Sequence, residues 1–444
     1  MDRGGLPGGD PSLSFDDPLG DRWVGMRIAQ VAPPLETVPP GRYGGTERVV
    51  STLTEELVRR GHEVTLFAAG DSRTAARLVP TVEHALWHRR PRPTDVTPYW
   101  AITLGEVWRH MQEFDVVHSH LDYLAFPMAR SGVRPVVSTL HGRLDLPDLL
   151  PLYRHFCDVP VVSISHAQRQ PIPDANWIDT VYHGIELDEF TFNPRMGSYL
   201  AFLGRISPDK GLDTAIRVAR RAGLPLLIAA RMPLPHSQDP NVRADWGFWE
   251  HEVQPLLEGR QVELIGQVAG QDKDQFLGEA AALLFPIRWP EPFGLVMPEA
   301  LACGTPVLAL DRGSVPEVVR DGVTGFIRQT EDELVEAVRH VNELDRAGCR
   351  HEAEQRFSPA AMVDAYERVY SRLVDRPGRP PDGGGIPAER VRVPTGTPRR
   401  ASVDMDAPPV GAHTSRGVPG PRGAQAVNGS PVGEVTRERG RPGS

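Results

Sequence analysis

Lysine is almost missing from this chain. Of its 49 lysines and arginines, only Lys210 and Lys273 are lysines. A GC-rich genome produces such a bias, and it makes a lysine inside a motif mildly more telling. Cysteine is scarce as well, with Cys157, Cys303 and Cys349 alone. They lack metal-binding spacing and are too few for a disulfide framework, which fits a reducing compartment. No apolar run reaches the roughly 18 residues that a bilayer span needs. The opening MDRGGLPGGDPSLSFDDPLGDRW lacks the apolar core of a secretion signal. Positive charge is not in excess, since the net charge is −9. A nucleic-acid partner demands a basic footprint, so that class is excluded as the main partner. These absences predict a cytoplasmic protein without a transmembrane segment, and they leave a peripheral membrane contact open.

What is present reads as two domains. At 444 residues the chain is too long for one ordinary core, and 40% hydrophobic with 24% charged residues is a globular composition. Residues 1–24, rich in Gly, Pro and Asp, read as a disordered leader, with Met26 an alternative start. Residues 376–444, dominated by Pro, Gly and Arg, read as a disordered tail, because they cannot bury enough apolar surface to offset ordering entropy. Between them strands alternate with helices. MRIAQVAP, HEVTLFAAG, DVVHSH, PVVSTLHG, VPVVSIS and WIDTVYHGI are strand patterns of a first half, 25–192. YLAFLGRI, LPLLIAAR, VELIGQV, ALLFPIRW and TPVLALD open a second series over 193–357. The alternation predicts an α/β fold with a covered parallel sheet in each half and a cleft at the strands' carboxyl ends. The last helix, within 358–375, has no strand to follow and is predicted to cross back onto the first half. Residues 71–100 and 143–157 read as acceptor-side loops without a legible code.

Four motifs carry chemistry. The most specific is WPEPFGLVMPEALACGTPV at 289–307. A strand ends in a loop with Glu291, and a helix opens around Gly294–Leu295 and carries Glu299. A helix N-terminus suits a diphosphate, and carboxylates beside it suit sugar or ribose hydroxyls. One Glu alone is more often an exposed helix residue; the whole string is what argues. Pro298 is tolerable only near the helix start. The second motif, FLGRISPDKGLDTAI at 202–216, puts Arg205 and Lys210 on a loop after a strand, a good diphosphate clamp. The third, PPGRYGGTERVV, offers Gly44 and Gly45 for close backbone approach before a helix near Thr46. It is not G-x-G-x-x-G, so nothing supports a nicotinamide site. In the fourth, VVSTLHGRLDLPD, His141 ends a strand on the cleft side, where a lone His is more often structural. His118, His120, His166 and His183 also sit at strand ends, and spacing does not exclude them. HSH at 118–120 lacks a third metal ligand, and the D-x-D string Asp404–Asp406 falls in the tail. No metal and no cofactor are expected.

EPFGLVMPEALACGTPV with Glu291 and Glu299 eight apart, GRISPDKG, the early GGTER and the strand-end HG resemble retaining glycosyltransferases of family 4. The resemblance spans about 26–373 and is closest to a bacterial branch that includes antibiotic-tailoring enzymes. It implies the GT-B fold, two Rossmann-like domains with parallel sheets facing across a cleft. It also implies a nucleotide diphosphate sugar as donor and an unidentified acceptor: a small molecule, a glycan or a lipid-linked sugar. Glu291 would hold donor-sugar hydroxyls, helped by the backbone N–H groups of Phe293, Gly294 and Leu295. Glu299 would hold the ribose, Arg205 and Lys210 the diphosphate, and Gly45 the phosphate from the other domain. His141 would stand near the reacting carbon. Pro298 departs from the apolar helix former usual there. No Asp or Glu in the first half reads as a base for an inverting reaction, in agreement with retention. Two other readings of the same fold are a nucleotide-sugar epimerase, which would act on donor alone, and a non-catalytic nucleotide-sugar binder. A glycogen-type phosphorylase would need a cofactor lysine beyond Lys210 and Lys273.

Overall fold

The computed structural model describes residues 25–375 apart from 42–43, 236–239 and 260. The leader 1–24, the tail 376–444 and Asp404–Asp406 within it lie outside the described residues. The first sheet holds β1 (Arg27–Val31), β2 (Glu63–Ala69), β3 (Arg77–Val82), β4 (Val116–Ser119), β5 (Val136–Thr139), β6 (Val161–Ser163) and β7 (Trp177–Thr180). They lie in the order β3-β2-β1-β4-β5-β6-β7, every neighbour parallel. The second sheet holds β8 (Leu200–Arg205), β9 (Leu226–Arg231), β10 (Val262–Gly266), β11 (Ala282–Phe285), β12 (Val307–Leu310) and β13 (Gly325–Arg328). Their order is β10-β9-β8-β11-β12-β13, again all parallel. In each sheet the strand order reverses once, between β1 and β4 and between β8 and β11. A doubly wound sheet opens a crevice at that point, beyond the carboxyl ends of the strands.

Residues 71–100 are not one loop. They contain β3 and the start of the Thr97–His110 helix. RLVPTV is half exposed and carries Pro80, which suits an edge strand and blurs its alternation. Residues 143–157 likewise contain a short helix, Leu150–His155. The Arg346–Arg356 helix also escaped the sequence pattern, since its stretch is mostly polar. It is started by Asp345, whose carboxylate accepts from the N–H groups of Ala347 and Gly348. Its first residue, Arg346, is buried and donates to the carbonyls of Asn193, Gly278 and Ala280. That guanidinium pins the segment linking the two sheets.

The Pro359–Val374 helix begins with Ser358 capping the Ala361 N–H and with Pro359 at its first position. Met362, Val363, Tyr366, Val369, Tyr370 and Leu373 fall at helical spacing and are buried in one cluster with Ile28, Leu53, Val137 and Val162. Burial of each large apolar side chain contributes about 1.5–3 kcal/mol. Arg60 ion pairs with Asp364 at 2.6 Å and with Glu367 at 2.9 Å, fastening the helix to the Gly45–Arg59 helix. Among the described residues no helix is long and apolar enough to cross a membrane.

Candidate active site

The second sheet supplies one wall. β8 ends at Arg205, a short turn carries Lys210, and the Leu212–Ala222 helix follows. β11 ends at Phe285 and runs through Trp289 and Glu291 to the Val296–Ala302 helix, so the helix starts beside Gly294 and Leu295 as the motif predicts. The two loops are tied together: the Arg288 N–H donates to the Asp209 carbonyl at 2.8 Å, and the Arg288 guanidinium reaches Asp213 at 2.5 Å. Lys210 Nζ donates to Glu291 Oε2, which also accepts from Trp289 Nε1 at 3.0 Å. Lys210 Nζ stands 5.3 Å from the Trp289 ring centre. Among the described residues Arg205 makes loose ion pairs, 3.5 Å to Asp209 and 3.6 Å to Asp245. Two glycines shape the loop. Gly294 has φ +78, and Gly313 has φ +56 with no room for a Cβ against the Glu291 backbone. Ser314 completes the grip, donating its N–H to the Glu291 carbonyl at 2.9 Å and its hydroxyl to the Phe293 carbonyl at 2.8 Å.

Glu299 lies one turn into the helix, buried, and accepts from Lys273 Nζ at 2.8 Å. The Lys273 ammonium also stands 5.0 Å from the centre of the Phe190 ring. Sequence reading gave Lys273 no role. The signal was there in its rarity: the chain's two lysines each pair with one of the two carboxylates of the same motif.

The first sheet supplies the facing wall. Gly44 and Gly45 open the Gly45–Arg59 helix, and a Cβ at Gly45 would stand 3.7 Å from Leu295 Cδ1, so the halves meet there. The Arg143 guanidinium lies 5.4 Å from the Trp289 ring centre, bringing a cation from the first half to the donor loops. Glu47 is a buried carboxyl in the first half, pushed up to about 7 chiefly by burial. Sequence reading saw no such group.

His141 closes the site. Its backbone N–H donates to Asp122 Oδ1 at 2.9 Å, its Nε2 lies 2.9 Å from His120 Nδ1, and its ring stacks on His183 with centres 5.2 Å apart. His183 in turn meets the Phe293 ring of the other half at 4.9 Å, and its buried Nδ1 has no hydrogen bond among the described residues. His166 stands apart: it is exposed, and its N–H donates to Glu317 Oε2 at 2.7 Å. Among the described residues no group of three or more His, Cys, Asp or Glu gathers as a metal site. For HSH the reason is visible, because His118 is engaged by Tyr370 and Thr139, and His120 by Gln30 and His141. Asp122 is likewise occupied by the His141 N–H.

Burial holds all four clustered rings neutral. His141 is pushed down to about 3, and His118, His120 and His183 fall well below 6.5, with neighbouring histidines adding to the effect. The folded rings refuse protons that the unfolded chain accepts below about pH 6.5. Stability is therefore complete above that pH and is lost as pH falls, by about 1.4 kcal/mol per pH unit per ring. Thermal melting at pH 7.5 and 5.5 should differ sharply, and His120→Gln should flatten the slope. Equal melting temperatures at the two pH values would contradict this.

The comparisons fit this geometry. The family described as Glycosyl transferases group 1 matches residues 186–361, and Glycosyltransferase Family 4 matches residues 43–189. A D-inositol 3-phosphate glycosyltransferase of Mycobacterium tuberculosis is 30% identical over 454 aligned positions, covering 86% of this chain and 89% of the relative. The chain belongs to the family 4 glycosyltransferases. Solved structures agree on the fold of this enzyme. AviGT4, a glycosyltransferase involved in avilamycin A biosynthesis, matches with a TM-score of 0.57 at 22% identity, covering 79% of this chain and 98% of that one. Anabaena Alr3699/HepE in complex with UDP-glucose matches with a TM-score of 0.58 at 18% identity, covering 78% and 100%. The fold of the transferase is GT-B.

Proposed function

We propose that this glycosyltransferase takes a sugar from a nucleotide diphosphate sugar and transfers it, without a metal ion, with the anomeric configuration retained. The observation that carries this reading is the pairing of Lys210 with Glu291 beyond β8 and β11, where the second sheet reverses its strand order, with Arg205 at the end of β8 five residues before Lys210. The leaving diphosphate gathers negative charge as the bond breaks, and a guanidinium with an ammonium stabilises that charge. Lys210 changes partner in this scheme. A diphosphate draws it from Glu291, and the freed carboxylate accepts hydrogen bonds from sugar hydroxyls. Glu299, steadied by Lys273, holds the ribose. The backbone at Phe293, Gly294 and Leu295 lines the sugar, Gly44 and Gly45 face the phosphate, and His141 stands at the reacting carbon. The UDP-glucose in the Anabaena structure supports this donor class. Three free cysteines, with Cys303 and Cys349 buried, fit action in the cytoplasm.

A thermal-shift panel of nucleotide diphosphates and their sugars identifies the donor. With that donor, α-linked at the anomeric carbon, the product should be α-linked by NMR, and turnover should persist in strong chelator. A β-linked product would overturn retention and direct attention to Glu47 as base. Activity abolished by chelator and restored by Mg²⁺ would overturn metal independence separately.

A further inference from the structure

Most polar residues buried inside a parallel sheet are hydrogen-bonded, and the first sheet holds several that are. Gln30 in β1, His118 in β4 and Thr139 in β5 are fully buried. Their partners form one chain. The Gln30 amide nitrogen donates to the Tyr370 hydroxyl at 3.0 Å, and its oxygen lies 2.9 Å from His120 Nε2. Tyr370 Oη stands 2.8 Å from His118 Nδ1, and His118 Nε2 stands 2.7 Å from Thr139 Oγ1. Thr139 Oγ1 then meets the Tyr366 hydroxyl at 2.9 Å. At the other end His120 Nδ1 meets His141 Nε2 at 2.9 Å.

One group settles who donates. An amide oxygen only accepts, so His120 carries its proton on Nε2. Burial keeps that ring neutral, so its Nδ1 accepts, and the proton of the next contact belongs to His141 Nε2. His141 Nδ1 is left as the acceptor nitrogen. On the far side the Tyr370 hydroxyl donates to His118, His118 to Thr139, and Thr139 to Tyr366. Every bond runs in the same direction. Reversing the Gln30 amide would reverse the rest and move the His141 proton to Nδ1.

We propose that this buried chain sets the tautomer of His141, with Gln30, His120 and Tyr370 as positioning residues for sugar transfer. The inference rests on the assignment of His141 to the reacting carbon. A neutral imidazole is a donor at one nitrogen and an acceptor at the other, so its tautomer decides what it offers a sugar. Hydrogen bonds in series inside a low-dielectric core also polarise one another. Tyr366 and Tyr370 belong to the Pro359–Val374 helix, so the last described element of the chain reaches the cleft through the first sheet.

Nitrogen-15 NMR of histidine-labelled protein reads the tautomer directly. The His141 signals are those lost in His141→Ala. They should report protonation at Nε2 in the unaltered protein and a mixture of tautomers in Gln30→Leu. Gln30→Leu should also lower kcat on the order of tenfold or more, the scale of effect seen where a partner fixes a ring's tautomer, with the donor KM unchanged. Tyr370→Phe, which removes one hydroxyl at nearly constant volume, should move both readouts less and in the same direction. In a His141→Ala background Gln30→Leu should cost no further turnover. A His141 tautomer that ignores both substitutions in folded protein overturns the proposal. Full turnover in His141→Ala, with the tautomer still shifting in Gln30→Leu, would overturn the assignment of His141 and with it the catalytic consequence of the chain, but not its hold on the ring.

Discussion

Lys210→Ala should lower the rate of sugar transfer about a hundredfold to a thousandfold, the usual cost of removing one group aimed at developing negative charge. The effect belongs in kcat. Lys210 is bonded to Glu291 before the donor's bond breaks and is needed most when the diphosphate carries its full charge. Arg205→Ala should act in the same direction. Its loose contacts to Asp209 and Asp245 leave it able to turn toward a ligand. Lys210→Arg should recover only part of the rate, since a planar fork does not replace a compact ammonium at the same point. Single-turnover kinetics at saturating donor separate the steps. A Lys210→Ala enzyme whose loss lies wholly in KM would mean that the lysine binds the ground state and transition state equally, and the leaving-group role would fall.

Lys273→Met should destabilise the protein by about 3–5 kcal/mol, the cost of leaving one partner of a buried ion pair unpaired. Lys273 and Glu299 are both under a tenth exposed and 2.8 Å apart, so neither finds water when the other is removed. Lys273→Met with Glu299→Leu should regain much of the loss, because an apolar pair of similar volume restores packing without a stranded charge. Chemical-denaturation midpoints of the variants measure this. Glu299→Ala should in addition weaken binding of the bare nucleotide diphosphate by about 1.5–3 kcal/mol. Glu291→Ala should slow transfer and leave that binding nearly unchanged. Calorimetric titration with the bare nucleotide decides: equal losses in both variants would contradict the division between ribose and sugar. A Lys273→Met protein as stable as the parent would place that end of the site in contact with solvent.

Much of this architecture was legible in the residues because it is local. Apolar runs such as RIAQV and ALLF announce buried parallel strands, and the glycines of GGTER and EPFG announce tight turns at their ends. β3 was not legible, since an edge strand with a proline and a half-exposed face has no clean period. The Arg346–Arg356 helix was missed because its apolar stripe is thin, and the buried side of Arg346 looks like any surface arginine. The motif carboxylates could be read from their spacing, but their partners could not. Lys273 lies 26 positions from Glu299, and Tyr370 lies 340 positions from Gln30. Periodicity says which face of a strand is covered; it does not say which distant side chain covers it. Glu47 was passed over for the same reason, as its perturbation comes from burial that only the folded chain supplies.

The pairing of Lys210 with Glu291 and of Lys273 with Glu299 has a consequence for covalent chemistry. Arginine supplies every other basic side chain, and a guanidinium does not react as an amine does. Amine-directed modification of side chains, such as Schiff-base formation or stable amide formation, is therefore confined to the two lysine nitrogens, both held against the carboxylates of one motif. Lys210 is a fifth exposed and Lys273 about a tenth, so such reagents meet the mouth of the cleft first and its buried end second. On most proteins lysine modification decorates the outer surface and leaves the working parts alone. Here the outer surface has no lysine to decorate, and lysine modification reports on the site alone.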